Sequence, residues 1–289
     1  MSPQGQNPGG RTQPQAPRTK IFIEGRYKKL VRDLPQTVFF CPECKGHPRR
    51  RKNCEKCEGF GKLTRDSVQE LIAWVIGKAF GTRKNKFHGA GREDIDVRML
   101  GDGRPFVLEL LNPKQFGLDL AELETEVNRR NEGRIELLGL HYSEKPRVVI
   151  LKESKHAKEY GALIGVEGDT AAAKAALETH IGQRITVKQR TPERVAHRRA
   201  DLFRERWIEL TSVEEADEGQ LRVTLRTEHG TYVKEAISGE DERTLPNLTE
   251  WAGTACRCIE LDVLAILDAE GETVEEEPVF RAPFGTGVE

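Results

Sequence analysis

Residues 91–113 read GREDIDVRMLGDGRPFVLELLNP. The first eight, Gly91 to Arg98, carry three carboxylates (Glu93, Asp94, Asp96) and two guanidiniums (Arg92, Arg98), flanked by glycine. Asp94–Leu100 and Arg104–Leu111 are strand-like runs on either side of Gly101-Asp102-Gly103, a spacing that predicts a hairpin. Alternate residues of a strand share a face, so Asp94 and Asp96 would point the same way. A carboxylate held by arginine stays ionised and oriented, as a nucleophile or base requires. An Arg–Asp ladder bracing a strand would give the same pattern.

Outward from this block the chain alternates irregularly between helix and strand. Ile21–Ile23 predicts a short strand. Ser67–Phe80 predicts a helix, opened by Ser67 and Glu70 as a capping box. Leu118–Asn131 and Asp169–His180 read as helices. Arg147–Leu151, Arg184–Gln189, Trp207–Thr211, Gln220–Glu228, Tyr232–Ala236 and Glu260–Asp268 read as strands. Without a regular βαβ repeat, this order predicts an α+β fold with a mixed, mainly antiparallel central sheet flanked by helices.

The chain has 289 residues, 46 Lys+Arg against 47 Asp+Glu, and a formal net charge of -1. Charged residues make up 32%, above the usual share of about 25%. The near-neutral balance argues against a wholly basic nucleic-acid binder. No apolar run of membrane-spanning length and no secretory signal occur, so the expectation is a cytoplasmic protein with no membrane contact. Residues 1–20 are rich in Pro, Gln and Gly and predict a disordered tail. Glu275, Glu276 and Glu277 read as solvated surface.

Four of the six cysteines form Cys41-x-x-Cys44 and Cys54-x-x-Cys57. Two such turns hold four sulfurs at the separation tetrahedral zinc needs, so a small zinc-ribbon-like insertion with a structural Zn²⁺ is expected. His47 is an outside candidate for one ligand position. Between and around the pairs lie Lys45, Arg49, Arg50, Arg51, Lys52 and Lys56 against Glu55. That basic tip suits phosphate contact, or merely keeps a loop soluble. A second stretch sets Arg184, Lys188, Arg190, Arg194, Arg198, Arg199, Arg204 and Arg206 against Glu193, Asp201 and Glu205. The chain is neutral overall and locally positive, the footprint of an RNA-binding surface.

GREDIDVRMLGDGRPFVLELLNP closely resembles the signature block of the archaeal and eukaryotic tRNA pseudouridine synthase family numbered ten. FIEGRYKKLVRDLPQT (22–37), KEYGALI (158–164), QRTPERVAHRRAD (189–201), GTYVKEAISGEDERTLPNL (230–248) and LDV (261–263) resemble that family's blocks in the same order. The CxxC pairs are similar to those of its archaeal members. The likeness covers roughly residues 21–268. It implies a pseudouridine-synthase fold divided into the tail (1–20), an N-terminal strand with the cysteine insertion (21–66) and a catalytic domain (67–289). The short form would lack the THUMP-type accessory domain.

The implied activity is isomerisation of uridine to pseudouridine in the tRNA T-loop, at position 54 with 55 as a further candidate, and with no cofactor for chemistry. The matched R-x-D pattern places the catalytic aspartate at Asp94, with Asp96 as runner-up. Tyr160 matches the tyrosine that stacks on the uracil, and Lys234 the basic residue paired with the catalytic aspartate. Arg92 would neutralise the resting carboxylate or fill the gap left by the flipped base. Leu245 or Leu248 would supply an apolar floor. Arg190, Arg194, Arg198 and Arg199, with Arg49, Arg50, Arg51 and Lys52, are the expected contacts to the T-arm. Pro192 opens a turn or helix that would place Arg194 and Arg198 on one face. His197 reads as a structural hydrogen-bonder. The alternative function is a catalytically silent RNA-binding module or tRNA-folding chaperone using the same cleft.

Overall fold

The computed structural model describes residues 19–196 and 199–267. Of the tail expected over 1–20, residues 1–18 lie outside the described residues, as do His197, Arg198 and the Glu275–Glu277 run; Lys20 is already in the first strand, Lys20–Lys29.

In chain order the strands are β1 (Lys20–Lys29), β2 (Asn85–Gly89), β3 (Arg98–Leu111), β4 (Ile135–Ser143), β5 (Lys158–Val166), β6 (Arg184–Arg190), β7 (Phe203–Glu215), β8 (Gln220–Thr227), β9 (Thr244–Leu245) and β10 (Cys256–Ile266). The helices are α1 (Pro48–Arg51), α2 (Val68–Ala79), α3 (Leu120–Arg130), α4 (Lys145–Glu153), α5 (Thr170–Glu178), α6 (Glu193–Ala196), α7 (Val233–Ser238) and α8 (Leu248–Ala252). All ten strands join one sheet, ordered β4-β1-β3-β10-β5-β8-β7-β6-β9, with β2 also on β3. Every pairing is antiparallel except β3 with β10, where Arg98 faces Asp262 and Met99 faces Val263. This is the expected α+β class with a mixed, mainly antiparallel sheet. Arg98 closes the parallel junction through a two-pronged ion pair to Asp262, at 2.9 and 2.6 Å. Such paired N–H···O geometry resists shear between the two halves of the sheet.

The period-two alternation of β1 and β3 covers both faces. Ile23, Phe106, Leu108 and Leu110 enter the main core with Ile72 and Ile76 of α2. Phe22 and Val107, on the other face, meet Val148 and Leu151 of α4. Ser67 caps α2 as expected: its hydroxyl oxygen accepts from the Glu70 N–H, and the Glu70 carboxylate accepts from the Ser67 hydroxyl.

Three local readings are corrected. Gly101-Asp102-Gly103 does not turn a hairpin; it is a bulge inside the continuous β3. Tyr27 stands opposite Arg104, and Lys29, two residues on, stands opposite Met99, so β3 loops out between them. Gly101 and Gly103 have φ of 57° and 75°. A Cβ on Gly101 would lie 1.9 Å from the Leu264 carbonyl oxygen, so the bulge is pressed onto β10 and only glycine fits. Arg147–Leu151 is helical, within α4. A short apolar run does not separate strand from helix by periodicity, and Val149 and Ile150 are half exposed while Leu151 is buried. Tyr232–Ala236 is also no strand: Val233–Ser238 is α7, stopped by Gly239 in the left-handed region at φ 81°. Strands β2, β4, β5 and β9 are present where none is read from the sequence.

Candidate active site

Asp94 and Asp96 lie in a turn, in which the Val97 N–H donates to the Asp94 carbonyl at 3.2 Å. The strand reading of 94–97 fails because β1 reaches into this turn with a buried cation. Lys29, fully buried, donates to the carbonyls of Leu34, Asp94 and Ile95 at 2.8, 3.1 and 3.1 Å. Burial pushes its ammonium down to about 8 against the pull of Glu93 and Asp96. All three of its donors are used, and the Asp94 backbone is thereby tied to the loop that follows β1.

The preceding residue supplies a second anchor. Glu93 is buried against Arg104, with Nε to Oε2 at 2.8 Å and side-chain exposures of 0% and 1%. The Tyr27 hydroxyl donates to the same carboxylate, and Gln36 donates to the Tyr27 oxygen and to the Gly91 carbonyl. Arg104 also donates to the Ala90 carbonyl at 2.6 Å. With its partners satisfied, the buried pair fixes the 90–93 backbone; losing one member would leave a naked charge. Sequence reasoning missed Lys29, Arg104 and the structural use of Glu93. Their one signal is charge in otherwise strand-like runs, and only long-range pairing reveals their burial.

Asp94 projects into a cavity of about 930 Å³ whose lining includes Arg92, Asp94, Asp96, Tyr160, Arg194, Arg199, Arg204, Arg206 and Lys234. Arg194 of α6 donates to Asp94 Oδ2 at 2.7 Å through Nη1. Its Nε and Nη2 donate to Glu235 of α7 at 2.6 and 3.3 Å. Burial acts to lower the Arg194 pKa, but the carboxylates of Glu235 and Asp94 outweigh it and raise it. The cation that touches Asp94 is therefore Arg194. Lys234 donates to Asp96 Oδ2 at 2.7 Å, so the Lys234–Asp94 pairing expected from the sequence is not formed. The helix at 233–238, which replaces the strand expected over 232–236, turns Lys234 toward Asp96 and Glu235 toward Arg194. Burial raises and the Lys234 ammonium lowers the Asp96 carboxyl, which ends below its ordinary value.

Tyr160 is the third residue of β5, opposite Val263 on β10 and Leu225 on β8. Burial pushes its phenol up to about 12, so the ring offers an aromatic wall that stays neutral. Leu261 and Val263 join it on the cavity wall. Leu245 and Leu248 do not line the cavity: Leu245 is on β9 and Leu248 is buried in the core. Arg92 and Arg199 are exposed and line the cavity. Arg190 does not; it holds Asp201 at 2.6 Å.

Away from the cavity, Cys41, Cys44, Cys54 and Cys57 bring four sulfurs within 4.8 Å of one another. Cys41–Cys54 and Cys44–Cys57 Sγ separations are both 3.7 Å. Zinc–sulfur bonds of about 2.3 Å in a tetrahedron give an edge of roughly 3.8 Å, so the donor set fits and could hold a structural zinc. The backbone N–H groups of Cys44 and Glu43 bring the Cys41 thiol down to about 7, while burial lifts Cys54 to about 12. His47 takes none of the four ligand positions; its Nδ1 accepts from the Arg49 N–H and caps α1. Arg49, Arg50, Arg51 and Lys52 are exposed on that helix and its end.

Residues 22–267 match the family model described as "Pus10, C-terminal". The chain is 43% identical over 248 residues to a tRNA pseudouridine synthase Pus10 of Methanothrix thermoacetophila, covering 85% of this chain and 53% of that protein. It is 44% identical over 248 residues to the protein of that name from Methanocaldococcus jannaschii (86% and 53%) and 42% identical over 249 to that from Korarchaeum cryptofilum (86% and 65%). The chain thus spans roughly half to two-thirds of the length of these relatives. A chain of a solved Cbf5-Nop10-Gar1 complex aligns at a TM-score of 0.40 and 18% identity, over 69% of this chain and 45% of that one. Among the described residues no helix is long and apolar enough to cross a membrane. The family match extends over nearly all the described residues, and the chain belongs to the Pus10 C-terminal family.

Proposed function

We propose that this chain is a tRNA pseudouridine synthase that isomerises uridine in the T-loop, at position 54 with 55 as a further candidate, with Asp94 as the catalytic carboxylate. The observation that carries the reading is the single contact of Arg194 with Asp94 at the wall of a basic cavity that also holds Tyr160. In the reaction the N1–C1′ bond breaks, uracil turns in place, and C5–C1′ forms. The C5 proton leaves to solvent and N1 takes one up, so no oxidant, reductant or cofactor is consumed. Whether Asp94 attacks C1′ or removes a ribose proton, it must be ionised and held still. Arg194 supplies the neighbouring charge, and Lys29 and the Glu93–Arg104 pair hold the backbone.

A uridine inside a folded loop must leave its stack to reach Asp94. The cavity offers Tyr160 as a replacement stacking face, worth roughly 1–3 kcal/mol per base. Arg92, Arg199, Arg204 and Arg206 line the cavity; on this reading Arg92 occupies the space the base vacates and the other three meet phosphates. Arg190 is placed further out, beside its Asp201 partner. Structural zinc in the four-thiolate site would stiffen the module that displays Arg49, Arg50, Arg51 and Lys52, giving the T-arm a second charged contact. The free thiols suit the reducing cytoplasm, where tRNA is modified.

The test is incubation of the full chain with unmodified tRNA transcript, followed by carbodiimide modification and reverse transcription. Stops at T-loop uridines are expected with wild type and not with Asp94→Asn. Asp96→Asn should retain them. Binding of tRNA without any stop would support the silent RNA-binding module instead, and a stop that survives Asp94→Asn would move the chemistry to Asp96.

A further inference from the structure

A second groove shares no lining residue with the catalytic cavity. It runs between the foot of the cysteine module (Lys62, Arg65), the outer face of α2 and the segment leading to β2. Trp74 stands on its wall and is 69% exposed. Tryptophan is largely buried on average in folded proteins, and Trp74 lies on the face of α2 opposite the core residues Ile72 and Ile76. Packing therefore does not account for it.

The charge around the indole is one-sided. The lining carboxylates are Asp66 and Glu70, and both are already held: Asp66 by Arg134 at 3.1 Å, Glu70 by Lys62 at 2.6 Å. Arg65, Lys78 and Arg83 are exposed and have no carboxylate partner among the described residues. Lys78 is one helical turn beyond Trp74, so the two share a face. An exposed aromatic ring among unpaired cations is what a stacked base and its flanking phosphates require.

We infer that this groove binds a single-stranded stretch of the RNA substrate, with one base stacked on Trp74 and phosphates on Arg65, Lys78 and Arg83. The inference rests on the RNA substrate proposed above but not on the chemistry at Asp94. An apolar protein partner would have no use for three unpaired cations, and an anionic one would gain little from a lone indole.

The test uses the full chain and the unmodified tRNA transcript, with affinity measured by anisotropy over a range of salt and KM and kcat measured separately. Trp74→Ala should raise Kd and KM roughly five- to a hundredfold, the size of one lost base stack, and leave kcat unchanged; Trp74→Phe should retain most of the affinity. Lys78→Gln should reduce the slope of log K against log salt by about one. Kd and KM indifferent to Trp74→Ala would overturn the inference. So would a change in sedimentation mass on Trp74→Ala with RNA affinity intact, since the face would then be a protein contact. A wild-type chain that makes no pseudouridine but binds RNA through Trp74 would sink the proposed function alone. Pseudouridine formed with KM independent of Trp74 would sink this inference alone.

Discussion

Arg194 and Asp94, a hundred residues apart in the chain, meet at 2.7 Å, and the same guanidinium is gripped from behind by Glu235. Arg194 is therefore positioned before substrate arrives, with its direction set by α7. Removing it leaves Asp94 without its charged partner and free to swing. Arg194→Gln should lower kcat by roughly ten- to a hundredfold, the usual cost of a loosened catalytic group. Glu235→Gln should reproduce part of that loss without touching the cavity charge directly. Single-turnover pseudouridine formation on tRNA checks both; a rate unchanged in Arg194→Gln would remove the ion pair from the mechanism.

Lys29 gives a pH signature whose sign is determined by its burial. Its pKa falls from 10.5 to about 8 on folding, so between those values this side chain holds more proton in the unfolded chain than in the folded one. The stability that Lys29 itself contributes accordingly rises with pH across pH 8 to 10. Burial and Arg104 likewise bring Lys158 down to about 8, and it contributes in the same direction. Lys29 alone corresponds to a gain of the order of 3 kcal/mol over its full interval. Urea unfolding at pH 7.5, 8.5 and 9.5 should show wild type gaining stability relative to Lys29→Met as pH rises. Over the same range activity should decline, because a neutral amine has two donors for three carbonyls. Equal slopes in the two proteins would rule out a charged, buried Lys29.

The cysteine module is tested by metal content. Fresh protein is expected to carry about one zinc per chain, released by mercuriphenyl reagents and absent from Cys54→Ser. Metal loss should weaken tRNA binding through the exposed Arg49–Lys52 tip while leaving the sheet folded, since the four thiols form a cluster separate from the main core. Protein isolated without metal under reducing conditions would count against the four-thiolate site.

The sequence carried what is local. The Ser67 cap, the paired CxxC turns and the period-two runs of β6 and β8 each depend on residues within a few positions of one another, and each is found. It did not carry what is set by distant neighbours. Gly101-Asp102-Gly103 has hairpin composition, but β1 on one side and Leu264 on the other confine it to a bulge. Val233–Ser238 has strand-like composition, yet Gly239 closes it as a helix, and that choice decides that Lys234 meets Asp96 while Glu235 meets Arg194. The aspartate, the tyrosine and the basic block could be nominated from motifs. The buried cations behind them could not, because a lysine or arginine in a strand gives no sign that it will be enclosed.

The Glu93–Arg104 pair offers the strictest test of how the turn carrying Asp94 is supported. Both side chains are withdrawn from water, so removing one charge strands the other. Arg104→Met should cost about 3–5 kcal/mol in denaturant unfolding, and Glu93→Gln a comparable amount. The double variant Glu93→Gln/Arg104→Met should be far less destabilised than the sum, because neither charge remains to be solvated. Its activity should still be low, since the Ala90 carbonyl loses the Arg104 donor and the backbone leading to Asp94 is released. A double-mutant cycle with additive costs would mean that the two charges are solvated independently, and the turn carrying Asp94 would then need another anchor.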